Sequence, residues 1–172
     1  MNIDTNTRIG FVGYGRFGAA LSELIDERGY SWQCWDPVSE LPTGHAASNL
    51  DVLLSHSDLI IVAVPVNNFE NVLRELRPRL TASHCVIDVC SVKQGPCRLM
   101  DEILGTDIPH SGCHPLFGPL SIARAEPLRT VLCPSSLHPA FAKQVRALFE
   151  SLGSEVNEQE PAAHDRYMAL TH

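Results

Sequence analysis

The hydrophobic and polar positions fall into an alternation of strand-like and helix-like stretches that runs almost the whole length of the chain. RIGFVG is a short apolar run closing on glycine, and RFGAALSELIDERG follows with apolar residues at helical spacing up to Gly29. SWQCWD predicts a second strand, NLDVLLSHS a short helix, and DLIIVAV a third strand. The unbroken apolar character of DLIIVAV suits a parallel strand covered on both faces. VNNFENVLRELRPRL predicts a helix with Phe69, Val72, Leu73 and Leu76 on one side. HCVIDVC then predicts a strand, and PCRLMDEIL a helix with Pro96 near its first turn. IPHSGCH runs as a fifth strand into HPLFGP, RTVLCP is a sixth, PAFAKQVRALFESLG a helix closing on Gly153, and SEVNEQ a last strand.

Strands alternating with helices of this length imply right-handed crossovers and an α/β fold with a doubly wound parallel sheet of the Rossmann type. The one boundary falls near Glu160–Pro161, so residues 1–160 form the sheet domain. PAAHDRYMALTH, 161–172, opens a further helix that stops without a cap or glycine and reads as cut short. Its Tyr167, Met168 and Leu170 are expected to fray or to pack on a neighbouring chain.

Composition narrows the possible functions. The chain has 172 residues, 44% apolar and 19% charged, enough for one domain with a sizeable core. Its 20 acids against 13 bases leave a formal charge of −7, with no basic stripe, which argues against nucleic acid or an anionic membrane as partner. The longest apolar runs are of strand length, and MNIDTNTR lacks the basic start and apolar stretch of a signal peptide. The six cysteines form no CxxC and no zinc spacing, and four lie in apolar strand-like runs. They are read as free thiols in a reducing cytoplasm.

Candidate chemistry gathers at two places. In GFVGYGRFG, Gly13, Gly15 and Gly18 follow a predicted strand and open a predicted helix, the context in which GxGxxG signals a dinucleotide site. Gly13 permits the tight turn, Gly15 lets backbone approach a pyrophosphate, and Gly18 lets helix and strand pack closely. The helix N-terminus offers its N–H groups to the phosphates. Arg16 and Phe17 inside the motif, with Val64 and Pro65 after the third strand, complete the candidate cofactor contacts. Asp36 ends the second strand, 18 residues after Gly18, where a carboxylate would accept a ribose diol and repel a 2′-phosphate. Pro37, Val38, Ser39 and Glu40 bring no cation, so the cofactor is read as NAD rather than NADP. The plainer readings are a glycine-rich turn without ligand and a solvated loop aspartate.

The second place is the carboxyl ends of the fourth and fifth strands, where doubly wound sheets bind substrates. Ser91, in VCSVK, and His114, in HPLFGP, should both face that cleft. An imidazole suits a dehydrogenase because it titrates near neutrality and can take the hydroxyl proton as hydride leaves the same carbon. Ser91 could orient the imidazole or the substrate. The other reading of His114 is a hydrogen-bonded support for its turn. His110 and His114 do not share a metal, since residues four apart on a strand lie ~13 Å from each other. His45, His56, His84 and His138 are expected to be solvated, and Lys93, Arg124 and Arg129 are the candidate cations near the cleft.

GFVGYGRFG, the WDP after the second strand, DLIIVAVPV, DVCSVK, HPLFGP and HDRYMALTH occur together in an order that resembles prephenate and arogenate dehydrogenases. The resemblance implies a nicotinamide cofactor on this domain, oxidative decarboxylation of prephenate or arogenate in tyrosine biosynthesis, and a full-length homodimer. It makes His114 the catalytic histidine and Ser91 its assistant. His164 and His172 become substrate-side histidines at the start of a helical dimerisation and substrate domain, of which 161–172 is the first helix. Two other functions remain open: a dehydrogenase of an amino-substituted prephenate, and a non-catalytic NAD-binding module.

Overall fold

The computed structural model describes residues 1–171; His172 lies outside the described residues. Among them, β1 (Arg8–Val12), β2 (Ser31–Trp35), β3 (Leu59–Val62), β4 (Cys85–Asp88), β5 (His110–Pro115), β6 (Leu128–Pro134) and β7 (Ser154–Glu158) form one sheet in the order β2-β1-β3-β4-β5-β6-β7. The helices are α1 (Arg16–Glu27), α2 (Leu50–Ser55), α3 (Val66–Leu76), α4 (Gln94–Leu104), α5 (Pro119–Ala123), α6 (Pro139–Ser151) and α7 (Pro161–Thr171). Strand order reverses at β1, which has β2 on one side and β3 on the other. This is the switch point at which doubly wound sheets open a ligand crevice.

Alternation along the strands divides the core in two. Ile9, Phe11, Leu59, Ile61, Cys85 and Ile87 face a layer that includes Leu21 and Ile25 of α1 and Val145 and Phe149 of α6. Val12, Ile60, Val62 and Val86 face the opposite layer, with Leu53 of α2, Phe69 and Leu73 of α3 and Met100 of α4. All four residues of β3 are buried, as its uninterrupted apolar run requires. The six cysteines are free, five of them buried, and each acts as a small core hydrophobe. No helix among the described residues is long and apolar enough to cross a membrane.

The sheet departs from an all-parallel one at a single pair: β5 and β6 are antiparallel. The connection between them contains α5, which the polar pattern after HPLFGP does not reveal. At 1.5 Å per residue this five-residue helix spans ~7.5 Å, whereas β5 runs ~20 Å, so it cannot carry the chain back to the start of β5. The chain therefore turns and returns, with Leu116 N–H donating to the Arg129 carbonyl at 2.8 Å.

Helix α7 is regular to Thr171 rather than frayed, and it packs on α4. Its docking is polar. Asp165 accepts the backbone N–H groups of Lys93 (2.8 Å) and Gln94 (2.9 Å), the otherwise uncapped first donors of α4.

Candidate active site

At the head of β1 the three glycines occupy three different environments. Gly13 has φ +95°, and a Cβ there would collide with the backbone oxygen of Ala63. A Cβ on Gly18 would stand 3.1 Å from the Gly13 oxygen, so its bareness lets α1 pack onto the turn. Around Gly15 nothing lies within 4 Å of a Cβ, which leaves open space directly over the first turn of α1. That turn has no side-chain cap and no acidic residue, so its N–H groups and positive dipole end are available to an anion. A pyrophosphate fits this cradle on both counts. Arg16 is exposed beside it, Val64 is half-buried, and Pro65 is exposed at the start of α3.

Asp36 stands beside the glycine turn but is already engaged. Oδ2 accepts Tyr14 N–H (2.8 Å) and the Ser39 hydroxyl (3.2 Å), and Oδ1 accepts Val38 N–H (2.8 Å) and Ser39 N–H (3.0 Å). Burial alone would raise this carboxyl, but the N–H groups of Tyr14, Ser39 and Val38 outweigh it and hold the group below the usual carboxylate range. Asp36 is thus no solvated loop residue. It ties the glycine turn to the turn after β2, and a ribose diol would most readily take the place of the rotatable Ser39 hydroxyl. The sequence signal for this was the Asp-Pro-x-Ser turn itself.

Ser91 and His114 come together as their strand-end positions implied. Both line a cavity of about 780 Å³ with Pro115, Phe117, Ser121, Asp165 and Met168. His114 Nδ1 lies 2.8 Å from His164 Nε2, with the rings edge-on at 5.0 Å, and His164 Nδ1 lies 2.7 Å from Asp165 Oδ1. His164 is 1% exposed and has both nitrogens engaged by protein, so it does not offer the substrate contact assigned to it from the sequence. His172, the other substrate-side histidine, lies outside the described residues. The cleft is tied to the cofactor end by Phe17 and Phe117, whose ring centroids are 6.0 Å apart.

Lys93 is not a cleft cation. Its side chain is fully buried, ion-paired with Asp88 and donating to the Cys113 carbonyl at 2.7 Å, so it ties the ends of β4 and β5 together behind the cavity. Burial works against its charge, but the Asp88 carboxylate and the hydrogen bond to it hold the amine above its ordinary value. Removing one partner of such a pair typically costs about 3–5 kcal/mol. Arg124 is exposed, while Arg129 lines a smaller neighbouring cavity with His164 and Tyr167. Cys90, next to Ser91, is no thiolate near neutrality, because burial and then Asp88 push it up to about 12.

The remaining histidines are more committed than their loop positions suggested. His84 is buried, with Nε2 2.9 Å from the Leu54 carbonyl, and His138 Nε2 is 2.8 Å from the Gly105 carbonyl. His45 stacks on Trp32 at 3.8 Å, and only His56 among these four is exposed. His110, at the far end of β5, bonds Asp101 Oδ1 at 2.7 Å, and the Ser135 hydroxyl reaches the same oxygen at 2.6 Å. That Ser-Asp-His group was not foreseen. Its serine bonds the acid rather than the imidazole, so it is no nucleophile relay.

A glycine turn aimed at an uncapped helix defines a doubly wound dinucleotide-binding domain, with an imidazole and a serine at the neighbouring strand ends beside it. The nucleotide-binding domain model of prephenate dehydrogenase matches residues 40–158, more than half of the chain, and the chain belongs to that family. The matched stretch begins after the glycine turn and Asp36 and includes Ser91 and His114. Arogenate dehydrogenase 1, chloroplastic, of Arabidopsis thaliana is 30% identical over 128 residues, covering 70% of this chain and 20% of that protein. The crystal structure of Synechocystis arogenate dehydrogenase superposes with a TM-score of 0.77 at 26% identity, covering 94% of this chain and 63% of that one. Prephenate dehydrogenase from Aquifex aeolicus, in complex with hydroxyphenyl propionate and NAD+, has the same fold with a TM-score of 0.76 at 19% identity. It covers 92% of this chain and 62% of its own. The chain thus spans a fifth of the plant protein and less than two-thirds of either solved chain.

Proposed function

We propose that this chain provides the NAD-binding and proton-handling part of an enzyme that oxidatively decarboxylates prephenate or arogenate in tyrosine biosynthesis. The observation that carries the reading is that Ser91 and His114 line one cavity at the ends of β4 and β5, and that Phe117 of the same cavity lies 6.0 Å, ring to ring, from Phe17 of the glycine motif. NAD, when bound, would supply the hydride acceptor; Gly13, Gly15 and Gly18 would hold its pyrophosphate and Asp36 its ribose. The protein's own groups do the rest. His114 takes the ring hydroxyl proton as the C–H bond on the same carbon breaks, and the C–O bond becomes a carbonyl. Ser91 orients the hydroxyl or the imidazole. Loss of carbon dioxide from the opposite ring carbon leaves its electron pair to the ring, and the resulting phenolate oxygen recovers the proton. Aromatisation drives this last step, so the site's task is orientation and proton transfer.

On this reading residues 1–160 are the cofactor domain and α7 opens the substrate and dimerisation domain. The exposed Tyr167 (59%) and Leu170 (85%) support burial of that helix against further protein in a homodimer. A purely sensing NAD module would have no use for an imidazole and a serine on the same cavity. The test supplies the natural full-length polypeptide with NAD and either prephenate or arogenate. NADH and carbon dioxide should appear in equal amounts with at least one of them, and formation of neither product from both substrates overturns the proposal.

A further inference from the structure

His164 and Asp165 link His114 to the N-terminus of α4 through a continuous set of hydrogen bonds, and the donors in that set can be assigned. Backbone N–H groups only donate, so Asp165 accepts from Lys93 on one oxygen and from Gln94 on the other. Burial alone would raise the Asp165 carboxyl, but Gln94 N–H, the His164 ring and Lys93 N–H outweigh it and keep the group ionised. An ionised carboxylate accepts, so His164 Nδ1, 2.7 Å away, carries a proton. A neutral His164 then has its lone pair on Nε2, and His114 Nδ1, 2.8 Å from that atom, is the donor. The proton-accepting lone pair of a neutral His114 is thereby on Nε2.

We infer that His164 and Asp165 are positioning residues: they fix the tautomer of His114 and support its positive charge when it takes up a proton. The same proton arrangement serves both states. A proton arriving on His114 Nε2 makes the ring an imidazolium that still donates from Nδ1, and no other proton has to move. The arrangement is that of an imidazole oriented by a buried acceptor, with a second imidazole inserted between base and acid. His164 is fully buried and both its nitrogens are engaged, so this role replaces direct substrate contact. The catalytic consequence rests on the proposed function above, but the tautomer does not.

Other ionisable groups also face this cluster. Asp88 and Lys93 form a buried pair behind β5, Cys113 precedes His114, and Tyr167 of α7, Arg129 of β6 and Glu158 of β7 line the cavity that His164 adjoins. Glu158 is itself paired with Arg146 at 3.2 Å, and among the described residues Asp165 is a carboxylate directly bonded to the histidine pair.

The experiment is long-range ¹⁵N–¹H correlation NMR of the chain labelled at its histidine nitrogens, with His114→Asn and His164→Asn for assignment. Near neutrality His114 and His164 should both carry the proton on Nδ1, the tautomer disfavoured by histidine in water. A proton on Nε2 of neutral His114 overturns the inference, and correlation of each ring to its own backbone assigns the wild-type spectrum even if no variant folds. Asp165→Asn keeps an oxygen to cap α4 but removes the charge. In it the His114 midpoint should fall by about one pH unit, whereas an unchanged midpoint and tautomer in folded D165N overturns the relay. In turnover assays D165N should move the acid limb of kcat/KM to lower pH and reduce kcat while KM stays within about twofold. If the NMR result is as expected but neither substrate is turned over, the relay stands and the functional reading fails. Turnover with the opposite tautomer means the reverse.

Discussion

The two ends of the crevice are built in opposite ways. The glycine end is local: Gly13, Gly15, Gly18 and Asp36 lie within 24 residues, and its donors are backbone N–H groups exposed because side chains are missing. The imidazole end is assembled from three separated segments, with Ser91 after β4, His114 on β5, and His164 and Asp165 on α7, and it depends on side chains that hydrogen-bond each other. Each end is clamped by one carboxylate that accepts backbone N–H groups. Asp36 reaches Tyr14 and its own following turn, while Asp165 reaches Lys93 and Gln94, which lie 72 and 71 residues away. A glycine turn can therefore be encoded in one contiguous stretch, whereas the linked His114–His164–Asp165 set exists only once α7 has docked.

The strongest separation of the two ends should come from His114→Asn. Turnover in the full-length enzyme should fall ~10²–10⁴-fold, the usual value of acid–base assistance, with NAD affinity nearly intact by calorimetry. Loss of NAD binding or of folding would instead give His114 the structural role that its turn also allows. Within the glycine end, Gly13→Ala and Gly15→Ala should divide stability from binding. Gly13→Ala meets both a positive φ and the Ala63 oxygen and should cost about 2 kcal/mol or more in urea unfolding. Gly15→Ala meets open space and should cost less than about 1 kcal/mol, yet it should weaken NAD at least about tenfold. Equal effects of the two on stability would undo the assignment of Gly15 to the ligand.

A smaller effect distinguishes the cofactors. NAD should bind at least about tenfold more tightly than NADP, because Asp36 is held ionised beside the ribose position. Equal affinities in parallel titrations would return Asp36 to its purely structural ties. The smallest effect compares the two clamps directly. Asp36 and Asp165 both have depressed values when folded, so each contributes stability that is fully present above the ordinary carboxylate value near ~4. That contribution is lost as pH falls through the depressed value. Urea midpoints measured from about pH 5 to about pH 2 should fall for the wild type, and less steeply for Asp36→Asn and for Asp165→Asn. A slope unchanged by either variant would mean that its carboxylate is no clamp.

What the amino-acid sequence determined by itself was everything written in short range. Short apolar runs and helical spacing located the seven strands and the longer helices, and the glycine motif, Asp36, Ser91 and His114 stood out because each sits at a strand end with a recognisable neighbourhood. Tertiary structure decided whatever required distant partners. The reversed β5–β6 pair depends on how far a five-residue helix can carry the chain, a length the polar pattern did not mark. Lys93 looked like a cleft cation until β4 and β5 enclosed it with Asp88, and His164 looked like a substrate contact until α7 docked and both its nitrogens found protein. Local pattern records whether a side chain prefers water, but not which buried partner will satisfy its hydrogen bonds. For charged and imidazole groups that partner decides the chemistry.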